Sequence, residues 1–388
     1  MSIFKILRTT SLVVVVIGSL SACSTLSSLN PFAKEDTKNQ PAALQVFTPA
    51  MTVKQSWTAQ VGAAGEYAFN PAVVDKSIYA AAADGTIVKL NAENGQIIWK
   101  SKTELSLTAG VAANDKVVAV VGQKGMLYAY DVQGKLRWQK QVSSEVLATP
   151  AVSDKLVIVH SIDNRIQAFD LDSGESKWIV ERPLPVLTLR IVTGMTIKDQ
   201  FVFATSPGGK LLSIALQNGG MRWEASAAEP KGATELERIV DMSGAPAIVG
   251  STVCASTFQG KVACFDTDNG SAKWNKPLSS EVGVAVDERF TFAADNEGNV
   301  FAYALAGGAS VWKNDKFRNR GLTTPTSFGL AAVVGDKLGY VHFLSREDGA
   351  LMARMSTDGS KIIAAPLIAG NQLITQTKAG TLVAFATE

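Results

Sequence analysis

Histidine is scarce in this 388-residue chain: there are two, His160 and His342, far apart. A lone histidine at a strand position is ordinarily a packed or turn-bonded side chain, and two separated ones cannot share a metal or activate one nucleophile. The three cysteines include no adjacent pair and no C-x-x-C-H haem-attachment motif. No G-x-S-x-G nucleophile elbow occurs. Acidic residues stand singly in the contexts "ENGQ", "DSGE", "DNG" and "EDG", where Asp and Asn cap tight turns and do not assemble the roughly six to eight oxygens that calcium needs. A basic stripe interleaved with aromatics is also missing, which excludes nucleic acid as a partner. The sequence therefore yields no catalytic residue, no metal ligand and no cofactor-binding residue, and it reads as a non-enzyme without a cofactor.

Charged residues make up 19% of the chain and apolar ones 46%, the balance of a large buried core. Lys5 and Arg8, the apolar run Leu12–Leu20 and the small-residue ending "LSAC" follow the order of a secretory signal over residues 1–22, too short to stay as a membrane span. The ending resembles a bacterial lipobox, which implies cleavage before Cys23 and lipidation of its thiol. Ser24 follows where inner-membrane lipoproteins carry a retention Asp, and that resemblance implies an outer-membrane, periplasm-facing location. Without Lys5 and Arg8 the 37 basic residues fall to 35, equal to the 35 acidic ones, so the mature chain is near neutral. Residues 23–50 lack periodicity and read as a flexible tether, leaving 51–388 as one domain.

That domain is built from a repeat of about 40 residues, the signature of a solenoid or propeller. Segments of the form "DGTIVKLNAENGQIIW" end at Trp99, Trp138, Trp178, Trp223, Trp274 and Trp312. A seventh copy has Ala353 in the tryptophan slot. An eighth, "AGTLVAFATE", lacks its last strand, which is found near the other end of the chain as "VKQSWTAQ" with Trp57. Each unit reads as four short strands, the middle turn marked by Gly85, Gly125, Gly209, Gly260, Gly298, Gly339 or Gly380, with Asn164 as substitute where positive φ is needed. The expected fold is all-β: an eight-bladed β-propeller of four-stranded antiparallel blades, its ring closed by an N-terminal strand.

The repeat resembles that of the pyrroloquinoline quinone (PQQ) propeller superfamily, in which the tryptophan docks flat between neighbouring blades. All seven tryptophans would then be blade glue, and Ala353 should mark the weakest interface. Lys89, Ala215 and Ala304 also depart from the pattern. The superfamily includes PQQ-dependent dehydrogenases, but their calcium cluster and adjacent cysteines have no counterpart here. Cys254 and Cys264 lie symmetrically about the turn "STFQG", facing each other in an antiparallel hairpin. A disulfide and two reduced cysteines filling small core slots both fit that placement.

Loop length then locates function. Two consecutive blade junctions exceed the rest: Trp178 to Gly194, containing "RPLPVLTLR", and Trp223 to Pro246, containing "RIVDMS". If the first were extended, Leu187, Leu189 and Ile191 would face one side and Thr188 and Arg190 the other. A helical turn is expected over Glu235–Ile239. A lipid-tethered propeller with these loops resembles the outer-membrane assembly lipoproteins, non-enzymatic subunits of the β-barrel assembly (BAM) complex. The resemblance implies that Leu187, Leu189, Arg190, Arg238 and Asp241 contact the periplasmic domains of BamA, the barrel-inserting subunit. Other BAM subunits are implied partners, and unfolded outer-membrane proteins are possible ones. Ser243 stands where that family leads us to expect a second acidic residue. A dehydrogenase, and a propeller binding other envelope clients, are the alternatives.

Overall fold

Each repeat closes into one four-stranded antiparallel sheet in the computed structural model, which describes residues 39–387. Blades 1 to 7 span 72–102, 107–141, 151–181, 195–226, 242–278, 284–314 and 326–356. Blade 8 is composite: its strands within 367–387 are completed by Val53–Gln60, which pairs antiparallel with Thr381–Thr387, Val53 opposite Thr387 and Gln60 opposite Thr381. The eight-bladed ring closed by an N-terminal strand is thus as the repeats imply. The signal segment 1–22, Cys23 and the first part of the tether lie outside the described residues.

Burial explains the composition of each strand. Second strands such as Val117–Gly122 are buried throughout, because a neighbouring blade covers each face, and they read as continuous apolar runs. Fourth strands form the rim, and in Leu136–Gln141 only Trp138 is buried. Each blade interface holds its own apolar cluster. Ala129, Trp138, Val157 and Phe169 belong to the cluster between blades 2 and 3, and Trp57, Ile78 and Ala384 to the one between blades 8 and 1.

The tryptophans cross these interfaces in one repeated geometry. The indole N–H donates to a carbonyl in the next blade: Trp57 to Ala92, Trp99 to Val132, Trp138 to Leu171, Trp178 to Leu216, Trp223 to Thr267, Trp274 to Leu305 and Trp312 to Arg346, at 2.8–3.1 Å. Beneath each ring sits the glycine of the next blade's third-to-fourth-strand turn. A Cβ built on Gly174 would lie 2.6 Å from Trp138, and one on Gly308 2.6 Å from Trp274. That turn does not exist in blade 8, where strand Thr381–Thr387 pairs with Val53–Gln60, and the interface with blade 7 is the one whose tryptophan slot holds Ala353.

The interface that carries Ala353 holds a different large ring. Small residues pair across the strands with tryptophan in most blades, as Ala129 with Trp138 and Ala302 with Trp312, and Lys89 does so with Trp99 in blade 1, but in blade 7 Phe343 pairs with Ala353. Phe343 is fully buried in the cluster with Leu373, Val383 and Phe385, and Met51 and Val53 pack against that cluster. A large ring on the third strand thus stands opposite alanine on the fourth, the reverse of the pairing in blades 2, 3 and 6.

Two further expectations meet the structure differently. Gly260 does not carry the positive φ of its turn, since Gln259 adopts it at 49°. A Cβ on Gly260 would come within 2.2 Å of Thr257 Oγ1 and 2.8 Å of Ala228, so this glycine serves close approach. Residues 42–50, read as tether, lie against blades 6 and 7. Ala42 N–H donates to Arg318 O at 2.8 Å and Ala50 N–H to Met352 O at 2.9 Å. Cys254 and Cys264 are directly opposite in their hairpin and joined by a disulfide.

Candidate partner-binding surface

The turns between second and third strands share one face with the blade connections, and there the two long junctions meet. The first runs from Arg182 to Gly194, between blades 3 and 4. Pro183 and Pro185 have no N–H to give to a ladder, and 182–192 forms no strand, so the expected alternation does not describe it. Leu184, Val186 and Leu187 are exposed, Val186 to 86%, whereas Leu189 and Ile191 are half-buried.

The second junction, 227–241, lies beside it and holds it. Asp241 is only 3% exposed. One carboxylate oxygen accepts the backbone N–H of Leu189 at 2.6 Å and the other that of Gly208, in the middle turn of blade 4, at 2.9 Å. Three residues on, Gly244 N–H donates to Val192 O at 2.8 Å, and Thr193 and Gly244 form a parallel bridge. The two loops run side by side, stitched by main-chain bonds and one buried carboxylate.

A single turn over 234–239 projects from this pair. Thr234 and Glu237 cap it reciprocally: Glu237 accepts from the N–H groups of Ala233 and Thr234, while Thr234 Oγ1 accepts from Glu237 N–H. The backbone N–H groups of Thr234 and then Ala233 hold Glu237 below the usual carboxylate range. Arg238 on this turn is exposed and 3.5 Å from Glu235. Leu236 is exposed too.

The five residues expected to meet a partner therefore fall into two kinds. Leu187, Arg190 and Arg238 present side chains to solvent, and Leu189 does so in part. Asp241 is a buried clasp. Ser243, in place of a second acidic residue, is buried and donates to Ser280 O at 2.7 Å. Arg190 reaches across to Glu145 at 2.8 Å, in the connection between blades 2 and 3. Glu145 and Gly208 are not singled out in the sequence, because their roles depend on which loops become neighbours; Leu184 and Val186 belong to the apolar stretch RPLPVLTLR but are not among the five named contacts.

Each histidine holds an internal hydrogen bond. His160 Nε2 lies 3.0 Å from Asn164 Oδ1, and His342 Nε2 lies 2.9 Å from Asp336 Oδ2. Burial pushes both imidazoles below their ordinary pKa, against the opposing hydrogen bonds to Asn164 and Asp336. Turn carboxylates serve as caps: Asp170 accepts from the N–H groups of Asp172 and Ser173. The Ser173 backbone bond is the main reason its pKa falls to about 2.

A family model described as outer membrane protein assembly factor BamB matches residues 39–106 and 83–314. The outer membrane protein assembly factor BamB of Bordetella pertussis is 41% identical over 94% of this chain and 95% of its own length. The chain belongs to the BamB family. A BamB from Burkholderia pseudomallei is 42% identical over 90% of this chain and 92% of its own. The crystal structure of BamB from Moraxella catarrhalis superposes with a TM-score of 0.80 at 24% identity, covering 86% of this chain and all of that one. The quinohemoprotein alcohol dehydrogenase of Comamonas testosteroni superposes at 0.68 with 12% identity, over 86% of this chain and 76% of its own, a likeness of fold alone.

Proposed function

We propose that this chain is a non-catalytic scaffold for outer-membrane protein assembly, lipid-anchored through Cys23 on the periplasmic face, and that it docks on the periplasmic domains of BamA through the paired loops 182–194 and 227–241. The observation that carries the reading is the exposure of Leu184, Val186 and Leu187 beside Arg190 and Arg238, on loops held in place by main-chain bonds. An apolar patch on a fixed backbone loses little freedom on binding, and arginine beside apolar anchors is typical of residues that dominate interface energies. Asp241 acts from beneath, by positioning Leu189.

Binding of the full chain to purified BamA periplasmic domains tests this. Leu187→Ala, Leu189→Ala, Arg190→Ala and Arg238→Ala each weaken the complex, the strongest by about 1–3 kcal/mol. The melting temperature is unchanged for the exposed Leu187, Arg190 and Arg238, and slightly lowered for the half-buried Leu189. Lys76→Ala, on an exposed hairpin of the opposite face and paired with Glu93, has no effect. Wild-type affinity in all four loop variants refutes the docking assignment. Cys23→Ala releases the protein from membranes, and no electron acceptor is reduced when PQQ and alcohols or sugars are supplied.

A further inference from the structure

Behind residues 42–47, on the rim between blades 6 and 7, lies a charged cluster, buried at Arg320, Asp336 and His342 and half-buried at Arg354, that the proposed function does not use. Arg320 is 2% exposed. Its Nε donates to Asp336 Oδ2 at 2.7 Å and its Nη1 to Ala42 O at 2.7 Å, while Nη2 is buried without a partner. Arg354 gives Nη2 to Gln45 O at 2.9 Å and lies under the Phe47 ring at 5.1 Å, and its Nε is likewise buried and unpartnered. The acceptors for both guanidinium groups are thus mostly carbonyls of one crossing segment.

Charge in this cluster does not balance. Asp336 supplies one negative charge against two guanidinium groups, and burial keeps His342 neutral. The proximity of Arg320 joins burial in holding Arg354 below its ordinary pKa. Two guanidinium groups set against one carboxylate leave net positive charge at this place, Arg320 buried and Arg354 partly so, and net positive charge at a partly desolvated site favours an anion.

Space for such an anion is present. Both arginines line a cavity of about 200 Å³ whose remaining walls include Leu44, Gln45, Phe317 and Leu351. That is below the roughly 300 Å³ at which pockets for drug-sized ligands begin, so the site suits a small molecule or a chain end. Planar guanidinium groups match a planar carboxylate, and leucine and phenylalanine walls match a short apolar body. We propose that this cavity, roofed by residues 43–45, binds a small organic carboxylate.

The test is calorimetric titration of the full-length protein in non-ionic detergent with butyrate, acetate and inorganic phosphate, each against chloride at equal ionic strength. One saturable butyrate site in the millimolar range is expected, with acetate weaker for lack of apolar contact and phosphate weaker for the apolar walls. Arg354→Gln removes a guanidinium and lowers butyrate affinity at least tenfold. Gln45→Glu leaves the main-chain contact to Arg354 in place and adds a carboxylate at the cavity wall, where it repels a bound anion, so it gives the same loss with an unchanged melting temperature. Absence of saturable butyrate heat overturns the proposal, as does tighter binding of phosphate than of butyrate. Undiminished butyrate affinity in Gln45→Glu overturns it even if Arg354→Gln does not fold.

Discussion

The backbone N–H of Leu189 and the carboxylate of Asp241, 52 residues apart in sequence, lie within 2.6 Å and join the two long loops. Asp241 also accepts Gly208 N–H at 2.9 Å, so one buried side chain fixes both the long loop and the adjacent middle turn. Removing it leaves two N–H groups without their acceptor, at about 1–3 kcal/mol for each that stays buried. Asp241→Ala is therefore expected to lower stability and to speed amide exchange at Leu189 and Gly208 above all other sites. Asp241→Asn retains one acceptor oxygen and loses less. A direct contact role predicts the opposite pattern, with partner binding lost and both amides still protected.

Adjacent glycines in blade 6 separate conformational freedom from tryptophan docking. Gly308 has φ of 67° and lies under Trp274, whereas a Cβ on Gly307 meets nothing within 4 Å. Gly308→Ala should cost about 1–3 kcal/mol for the forced contact with the ring, with the left-handed backbone adding about 1. Gly307→Ala should stay within about 0.5 kcal/mol of wild type, as exposed substitutions generally do. Denaturant unfolding of the two variants measures the difference, and equal losses would show that the ring is not seated on Gly308.

Much of the ring was legible because its determinants recur. A tryptophan in seven of the eight blades, and a turn glycine between second and third strands or Asn164 in its place, set blade number, strand count and closure. The glycine under each indole was not assigned, since it belongs to the following blade: Trp223 reaches Thr267, 44 residues away. In the long loops, length and apolar content located the surface, but alternation failed at Leu189 because the prolines prevent a strand. Asp241 reads as a surface charge because its acceptor role depends on where Leu189 and Gly208 come to rest. Asp336 was hidden for a related reason. It caps its own turn, accepting from Leu338 and Tyr340 N–H, and its second oxygen takes Arg320 and His342.

The buried histidines set a pH dependence. Burial lowers the pKa of both His160 and His342 below 6.5 in the folded protein. As pH falls below 6.5 the unfolded chain takes up protons that the folded chain refuses, so stability declines from 6.5 down to the folded pKa values. The slope reaches at most about 1.4 kcal/mol per pH unit for each histidine. Unfolding midpoints compared at pH about 7.5 and about 5.5 should show this loss, and His160→Gln should shrink the difference whatever it does to absolute stability. An unchanged difference would mean that His160 is protonated in the native state.

The inverted pair in blade 7 gives the last test. Phe343 faces Ala353, whereas Ala129 faces Trp138, Ala168 faces Trp178 and Ala302 faces Trp312. Phe343→Ala empties a fully buried ring site and should cost about 3–5 kcal/mol. Ala353→Trp alone adds a second large ring beside Phe343 and should cost about 1–3 kcal/mol through overpacking. Together the two changes recreate the alanine and tryptophan pair of blades 2, 3 and 6, so their effects should not add: a favourable coupling of about 0.5–3 kcal/mol is expected. Recovery should stop short of wild type, because an indole at 353 finds no turn glycine in blade 8 and meets Met51 and Val53 instead. A double-mutant cycle in denaturant measures the coupling. Simple additivity would mean that Phe343 does not occupy the space that the fourth-strand tryptophan takes in the other blades.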